Sequence, residues 1–302
     1  MSPAGLARDK VRLGITPTLW WNDDFLSIDI GIPFEQCISE MALAGFEGCS
    51  VGHKYPTDVE VLTAALDLRG LKVSEPWVST FFTIEDMTDW TIAEFDRQLT
   101  FIRAMGGTDL VVAELGGSAH PLPVALFANA AKFDDRQWDC LATGLNGLGK
   151  TAKDQGMRLC YHHHMGTGVM VPEDVDRLMA STDPELVHLL FDTGHYAMAG
   201  GDPLTLAQEH GERIKHVHLK DVRPDIIARA HKEKLSFQAA IEAGVFTVPG
   251  DGAIDFVPIF EALAGAGFEG WIVVEAEQDP AKANPLHYAT MARSYLRDVL
   301  GW

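Results

Sequence analysis

Positive charge is scarce in this 302-residue chain: 24 Lys+Arg stand against 43 Asp+Glu, a formal net charge of −19. That balance argues against nucleic-acid binding, whose affinity comes largely from Lys and Arg neutralising phosphates. It also argues against docking on anionic headgroups, which needs a basic patch. Long hydrophobic runs are missing, and none approaches the ~18 apolar residues of a membrane span. The opening MSPAGLARDK lacks the apolar core of a secretory leader. Only four cysteines occur (Cys37, Cys49, Cys140 and Cys160), with no CxxC pair. They read as small buried hydrophobes in a reducing compartment rather than as a disulfide framework. The expectation is an acidic cytoplasmic protein with no nucleic-acid or membrane partner, and homo-oligomerisation is left open.

What is present is an ordinary globular mixture, 47% hydrophobic and 22% charged. Short apolar runs alternate with longer amphipathic ones from end to end. The spacing predicts strands at Leu13–Pro17, Glu47–Gly52, Lys72–Val78, Asp109–Leu115, Met157–His163, Val187–Thr193, Ile214–Lys220 and Trp271–Glu277. Helices are predicted at Phe34–Ala44, Val59–Arg69, Ile92–Ala104, Arg136–Asp154, Glu173–Ala180, Leu204–His210, Phe256–Ala264 and Pro285–Val299. This α/β alternation points to one (β/α)8 TIM barrel spanning residues 1–302 and ending in a helix, with an open doubly wound sheet as the alternative. One internal echo supports repetition: Ala44-Gly45-Phe46-Glu47-Gly48 returns as Ala266-Gly267-Phe268-Glu269-Gly270. Each Gly suits a left-handed helix cap before a strand. Thr80–Asp89, Gly116–Lys132 and Val222–Asp255 read as irregular loops after strands, on the face where barrels place their chemistry.

Gly144 to Thr151 matches the phosphate-loop pattern GxxxxGK[ST]. That chemistry needs a strand, a cradling loop and then a helix. Here the segment falls late in a predicted helix, so close helix packing is the better reading. No GxGxxG follows a strand, and a dinucleotide is not indicated.

Metal-ligand residue types gather at strand ends. Side chains alternate across a strand, so Cys160, His162 and His164 share one face of the fifth predicted strand, and His216, His218 and Lys220 one face of the seventh. Strand six closes on Asp192-Thr193-Gly194-His195, and strand eight reaches Glu275 and Glu277. Four successive strands thus finish in His, Asp, His and Glu, a mixture that suits Mn, Co, Fe or Zn. Glu114 ends strand four as a ligand, an acid–base group or a substrate acceptor. Trp20, Trp21, Asn22 and Asp23 follow strand one, as a pocket wall with polar tips or, for the Trp pair, as core.

These residues resemble the inosose dehydratases, a family within the xylose-isomerase-like barrels. The likeness is carried by YHHHMGTG (161–168), DTGH (192–195), HVHLKDV (216–222), FTVPGDG (246–252) and VEAEQDPAKANP (274–285). It runs from strand one to the final helix. DTGH and HVHLKD specify the barrel and its metal, whereas YHHHMGT, TVPGDG and VVEAEQDPAKANP are more specific. The resemblance implies metal ligands at Asp192, His218 and Glu275. Where the superfamily usually has a Glu closing strand five, this chain has His162, so the fourth ligand is His162, His164, Glu114 or water. It also implies a Mn or Co requirement, and some members are associated with glutathione, for which these residues show no site.

The implied reaction is loss of water from 2-keto-myo-inositol to a trihydroxycyclohexane dione, in myo-inositol catabolism. The partner would be a small polyol ketone. His195 and His164 are the base and acid candidates in either order, with Lys220 holding the enolate oxygen or tuning a neighbour. Glu114, Trp20, Asn22, Asp23 and Glu277 are candidates for substrate contact. A sugar isomerase or epimerase on the same barrel, or a non-catalytic sugar-binding protein, would use similar residues. A barrel endonuclease is disfavoured by the net charge.

Overall fold

The computed structural model describes residues 5–302. Its strands are β1 (Val11–Ile15), β2 (Gly48–Cys49), β3 (Lys72–Val73), β4 (Trp77–Thr80), β5 (Asp109–Glu114), β6 (Arg158–His162), β7 (Val187–Asp192), β8 (Ile214–Leu219), β9 (Asp221–Val222), β10 (Phe246–Thr247) and β11 (Gly270–Val274). Nine of them form one parallel sheet in the order β3-β2-β1-β11-β8-β7-β6-β5-β4. The two ends of that order are pieces of one barrel strand. Ser74 N–H donates to Cys49 O (2.9 Å) and Val51 N–H to Glu75 O (3.0 Å), prolonging the β2 pairing beyond β3. Pro76, which has no N–H to give, then breaks the strand, and β4 takes up pairing with β5. With that strand split, the segments make the eight-stranded barrel the sequence predicts.

The covering helices are α1 (Phe34–Ala44), α2 (Val59–Asp67), α3 (Thr88–Ala104), α4 (Leu126–Asn129), α5 (Asp135–Asp154), α6 (Pro172–Ser181), α7 (Thr193–Met198), α8 (Pro203–His210), α9 (Pro224–Glu233), α10 (Phe237–Glu242), α11 (Phe256–Gly265) and α12 (Pro285–Leu300). The stretch 222–255, expected as irregular, is instead the antiparallel pair β9–β10 enclosing α9 and α10. Its local signals were Pro at the first turn of α9 and a Ser236 cap on α10. The repeated pentapeptide behaves as expected: Gly45 (φ 94°) and Gly267 (φ 71°) are left-handed caps, with Phe46 N–H on Met41 O and Phe268 N–H on Leu263 O.

Alternation sorts the strands cleanly. Leu110, Val112, Leu159, Tyr161, Leu189, Phe191, Val217, Leu219, Ile272 and Val274 face outward into the helix-packed core. Val111, Cys160 and Leu190 form a small apolar cluster inside the barrel. The phosphate-loop look-alike lies wholly within α5. A Cβ at Gly144 would stand 2.5 Å from the Phe82 ring, and one at Gly149 2.3 Å from Leu186 O. Both glycines are there for close packing.

Candidate active site and metal centre

Inward residues at the C-terminal strand ends line a cleft, among them Thr16, Ser50, Glu75, Trp77, His162, His164, His218, Glu275 and Glu277. His162 Nε2 is 3.4 Å from Asp192 Oδ2, and His218 Nδ1 is 3.8 Å from that oxygen and 3.0 Å from Glu275 Oε2. Metal–ligand bonds of about 2.0–2.2 Å put neighbouring donors roughly 3–3.5 Å apart. Donor atoms of His162, Asp192, His195 and Glu275 lie within 4.8 Å of one another, and His218 Nδ1 adjoins Asp192 and Glu275. The site thus offers mixed imidazole and carboxylate donors of the kind that suit a divalent ion. His162 keeps Nδ1 buried without a hydrogen-bond partner, so its ring is held by packing against Trp77 and its histidine neighbours.

Beside this set sits Lys220, fully buried, with Nζ donating to Glu277 Oε2 and His195 Nε2 at 2.8 Å each. Nζ is also 3.0 Å from Glu275 Oε2 and 3.5 Å from Asp192 Oδ2. Burial opposes the ammonium, but Asp192, Glu275 and Glu277 outweigh it and raise the lysine pKa. Burial also opposes a charged His218, yet Glu275 and Glu75 raise its pKa to about 10. Asp192 is pushed up to about 7 by burial. His164 is lowered to about 3 by burial and then by His120, and His195 is held well below its ordinary value by burial and His164.

Two sequence motifs lock together here. Asp192 caps α7 through His195 N–H (2.7 Å), and Thr193 Oγ1 donates to Lys220 O (2.7 Å). Gly194 leaves room for the lysine stem, since a Cβ there would lie 2.5 Å from Lys220 Cγ. The partners also assign the tautomers. His164 Nδ1–H donates to Met165 O (2.9 Å), leaving Nε2 as an acceptor, whereas His195 Nε2 accepts from Lys220 and keeps its proton on Nδ1.

Several expected site residues lie elsewhere. Glu114 shares the outward parity of Leu110 and Val112, and its carboxylate accepts from Thr80 Oγ1 (2.8 Å), Phe82 N–H (3.0 Å) and Thr83 Oγ1 (2.7 Å). It anchors the loop after β4 and is not among the residues lining the cleft. Trp20 and Trp21 are fully buried in the core, Trp20 Nε1 donating to Glu40 (2.6 Å). They form no pocket wall. Asn22 and Asp23 do line the cleft, but Asn22 Oδ1 is committed to Asp24 and Phe25 N–H, and Asp23 to His53.

Residues that went unnoticed are Glu75, Trp77, His120 and Asp24. Trp77 stands edge-on to His162 and His164 at 5.4 and 5.8 Å. His120 Nε2 is 3.6 Å from Asp24 Oδ1, and Phe237 of α10 packs on His120, His164 and His195.

The family model of xylose isomerase-like TIM barrels matches residues 38–299. An inosose dehydratase of Geobacillus thermodenitrificans is 51% identical over 294 residues, covering 97% of this chain and 98% of that one. The chain belongs to the inosose dehydratase family of these barrels. A second member, from Lacticaseibacillus casei, is 50% identical over 287 residues, 95% of this chain and 96% of its own. Among solved structures, the IOLI protein with a bound zinc atom aligns with a TM-score of 0.69 at 16% identity, covering 96% and 98% of the two chains. A probable 3-DHS dehydratase from Bacillus anthracis aligns at 0.68 and 12% identity, over 94% and 98%. At those identities the solved structures speak for the fold alone.

Proposed function

We propose that the chain is a metal-dependent hydro-lyase that removes water from 2-keto-myo-inositol, leaving a trihydroxycyclohexane dione for myo-inositol catabolism. The near-full-length identity to inosose dehydratases carries the reading, and the arrangement of His164, Lys220 and Glu277 beside a four-donor set supports it. His162, Asp192, His218 and Glu275 would hold the ion, with Mn or Co as the proposed metal. A divalent ion there supplies Lewis-acid stabilisation of negative charge developing on the ketone oxygen.

The remaining chemistry belongs to the side chains. The hydrogen on the carbon next to the ketone leaves as a proton to His164 Nε2, which is neutral and has no hydrogen-bond partner among the described residues. Its electron pair forms the carbon–carbon double bond as the C–O bond one carbon further on breaks. The departing hydroxyl takes a proton from the Lys220–His195–Glu277 group and leaves as water, and the resulting enol becomes the dione. Glu277 is the member of that group on the cleft lining. Trp77 offers an aromatic face to ring C–H groups.

Incubation of the purified, metal-loaded protein with 2-keto-myo-inositol, with and without glutathione, followed by mass analysis, tests the reading. A product lighter by one water supports dehydration. An epimer of unchanged mass would move the assignment to an isomerase of the same barrel.

A further inference from the structure

Below the four-donor set, alternating charges run along the barrel axis toward the N-terminal mouth. Arg158 Nε and Nη2 donate to Asp109 at 2.7 and 2.9 Å, and Asp109 Oδ2 lies 3.0 Å from His216 Nδ1. His216 Nε2 is 3.2 Å from Glu75 Oε2, and Glu75 Oε1 is 3.2 Å from His218 Nε2. Asp109 and His216 are fully buried and Glu75 is 2% exposed. Barrel interiors are ordinarily filled by branched aliphatic side chains, and each buried ion costs several kcal/mol of desolvation before pairing offsets it, on the order of the worth of a whole core contact. Aliphatic filling would be the less costly solution, so this column is kept for something other than packing.

We infer that Glu75 is a positioning residue: its Oε1 grips His218 by Nε2 and so aims Nδ1 at Asp192 and Glu275, while the His216–Asp109–Arg158 column lies against its Oε2 at ion-pair distance without a hydrogen bond to it. The inference rests on reading that set as a metal site. An imidazole that donates Nε2–H to a carboxylate keeps its lone pair on Nδ1 and cannot rotate away, which is the usual second support of a metal-bound histidine. The strand break serves this purpose. Val73 packs in the outer core, yet Glu75, two residues on and of the same parity, reaches inside. The alternation slips at Ser74, between Val73 and Glu75, and delivers the carboxylate to the axis.

The test is Mn2+ affinity of the purified apo-protein, by calorimetry, for the unsubstituted chain, Glu75→Asp and Glu75→Gln, each checked for a cooperative melt. Glu75→Asp keeps the buried charge but withdraws the oxygen from His218, and should bind Mn2+ about 10–100-fold more weakly. Glu75→Gln keeps the reach: its Oε1 accepts from His218, and its amide can donate to His216 Nε2. Its affinity should stay within a few-fold of the unsubstituted chain. A Glu75→Asp protein that folds and binds Mn2+ like the unsubstituted chain would overturn the inference alone. Absence of Mn2+ binding by the unsubstituted chain would overturn the metal reading with it.

Discussion

His164 and His195 are neighbouring imidazoles, 3.9 Å between ring centroids, and their partners divide them. The carbonyl on His164 Nδ1 leaves a base at Nε2, while the ammonium on His195 Nε2 leaves it a supporting member of a proton-donating group. His164→Ala should therefore lower kcat about 10²–10⁴-fold with Mn2+ affinity little changed, read by steady-state kinetics and calorimetry on one preparation. An unchanged kcat would remove His164 from the chemistry. Gly194→Ala probes the same group from behind. Its Cβ would meet the Lys220 stem at 2.5 Å, and a displaced ammonium should lower kcat about 100-fold, as misplacements near 1 Å do. Gly194→Ala turning over like the unsubstituted chain would show that Lys220 has no fixed place to keep.

Elements explain which parts of the site could be read from the sequence. Where alternation runs unbroken, as through Cys160-His162 and His216-His218-Lys220, parity alone brings the right side chains inward. The same parity, anchored on Leu110 and Val112, turns Glu114 outward, away from the cleft that its residue type alone suggested. Glu75 was beyond parity counted from Val73, because the alternation slips at Ser74, between the two. Phe237 was hidden because α10 lies in a long connection whose fold depends on Asp221, which accepts from Val222, Gly250, Gly252 and Ile254 N–H. Helix α5 makes a prediction of its own. Lys150 is exposed and, among the described residues, pairs with Asp154 alone, so Lys150→Ala should leave activity unchanged. Gly144→Ala, driven into Phe82, should destabilise the protein by about 1–3 kcal/mol in urea melts. Loss of activity in Lys150→Ala with an intact fold would revive the phosphate-loop reading.

Across the whole molecule, the buried histidines set the acid limit. Burial lowers His163 to about 3 and His188 to about 4, with Lys220 and Arg158 the next contributors respectively. His163 accepts Asp192 N–H at Nε2 (3.4 Å), which requires the neutral ring. Unfolded histidines titrate near ~6.5, so between about 6.5 and 4 the unfolded chain binds the extra protons. Their contribution to stability is complete above that window and is lost as pH falls through it, by up to about 1.4 kcal/mol per pH unit for each fully buried ring. His164, lowered to about 3, adds to the same loss, whereas Asp192, raised to about 7, opposes it over the same window. Melting temperature should therefore fall from pH 7 to pH 4.5, and a profile that rises would show these rings charged in the fold. Among the described residues no helix is long and apolar enough to cross a membrane.

The most direct trial of the account is dione formation from 2-keto-myo-inositol by protein stripped with chelator and then resupplied with Mn2+ or Co2+. Activity that vanishes on stripping and returns with metal is the predicted result. Full dione formation by stripped, metal-free protein would contradict the role given to His162, Asp192, His218 and Glu275.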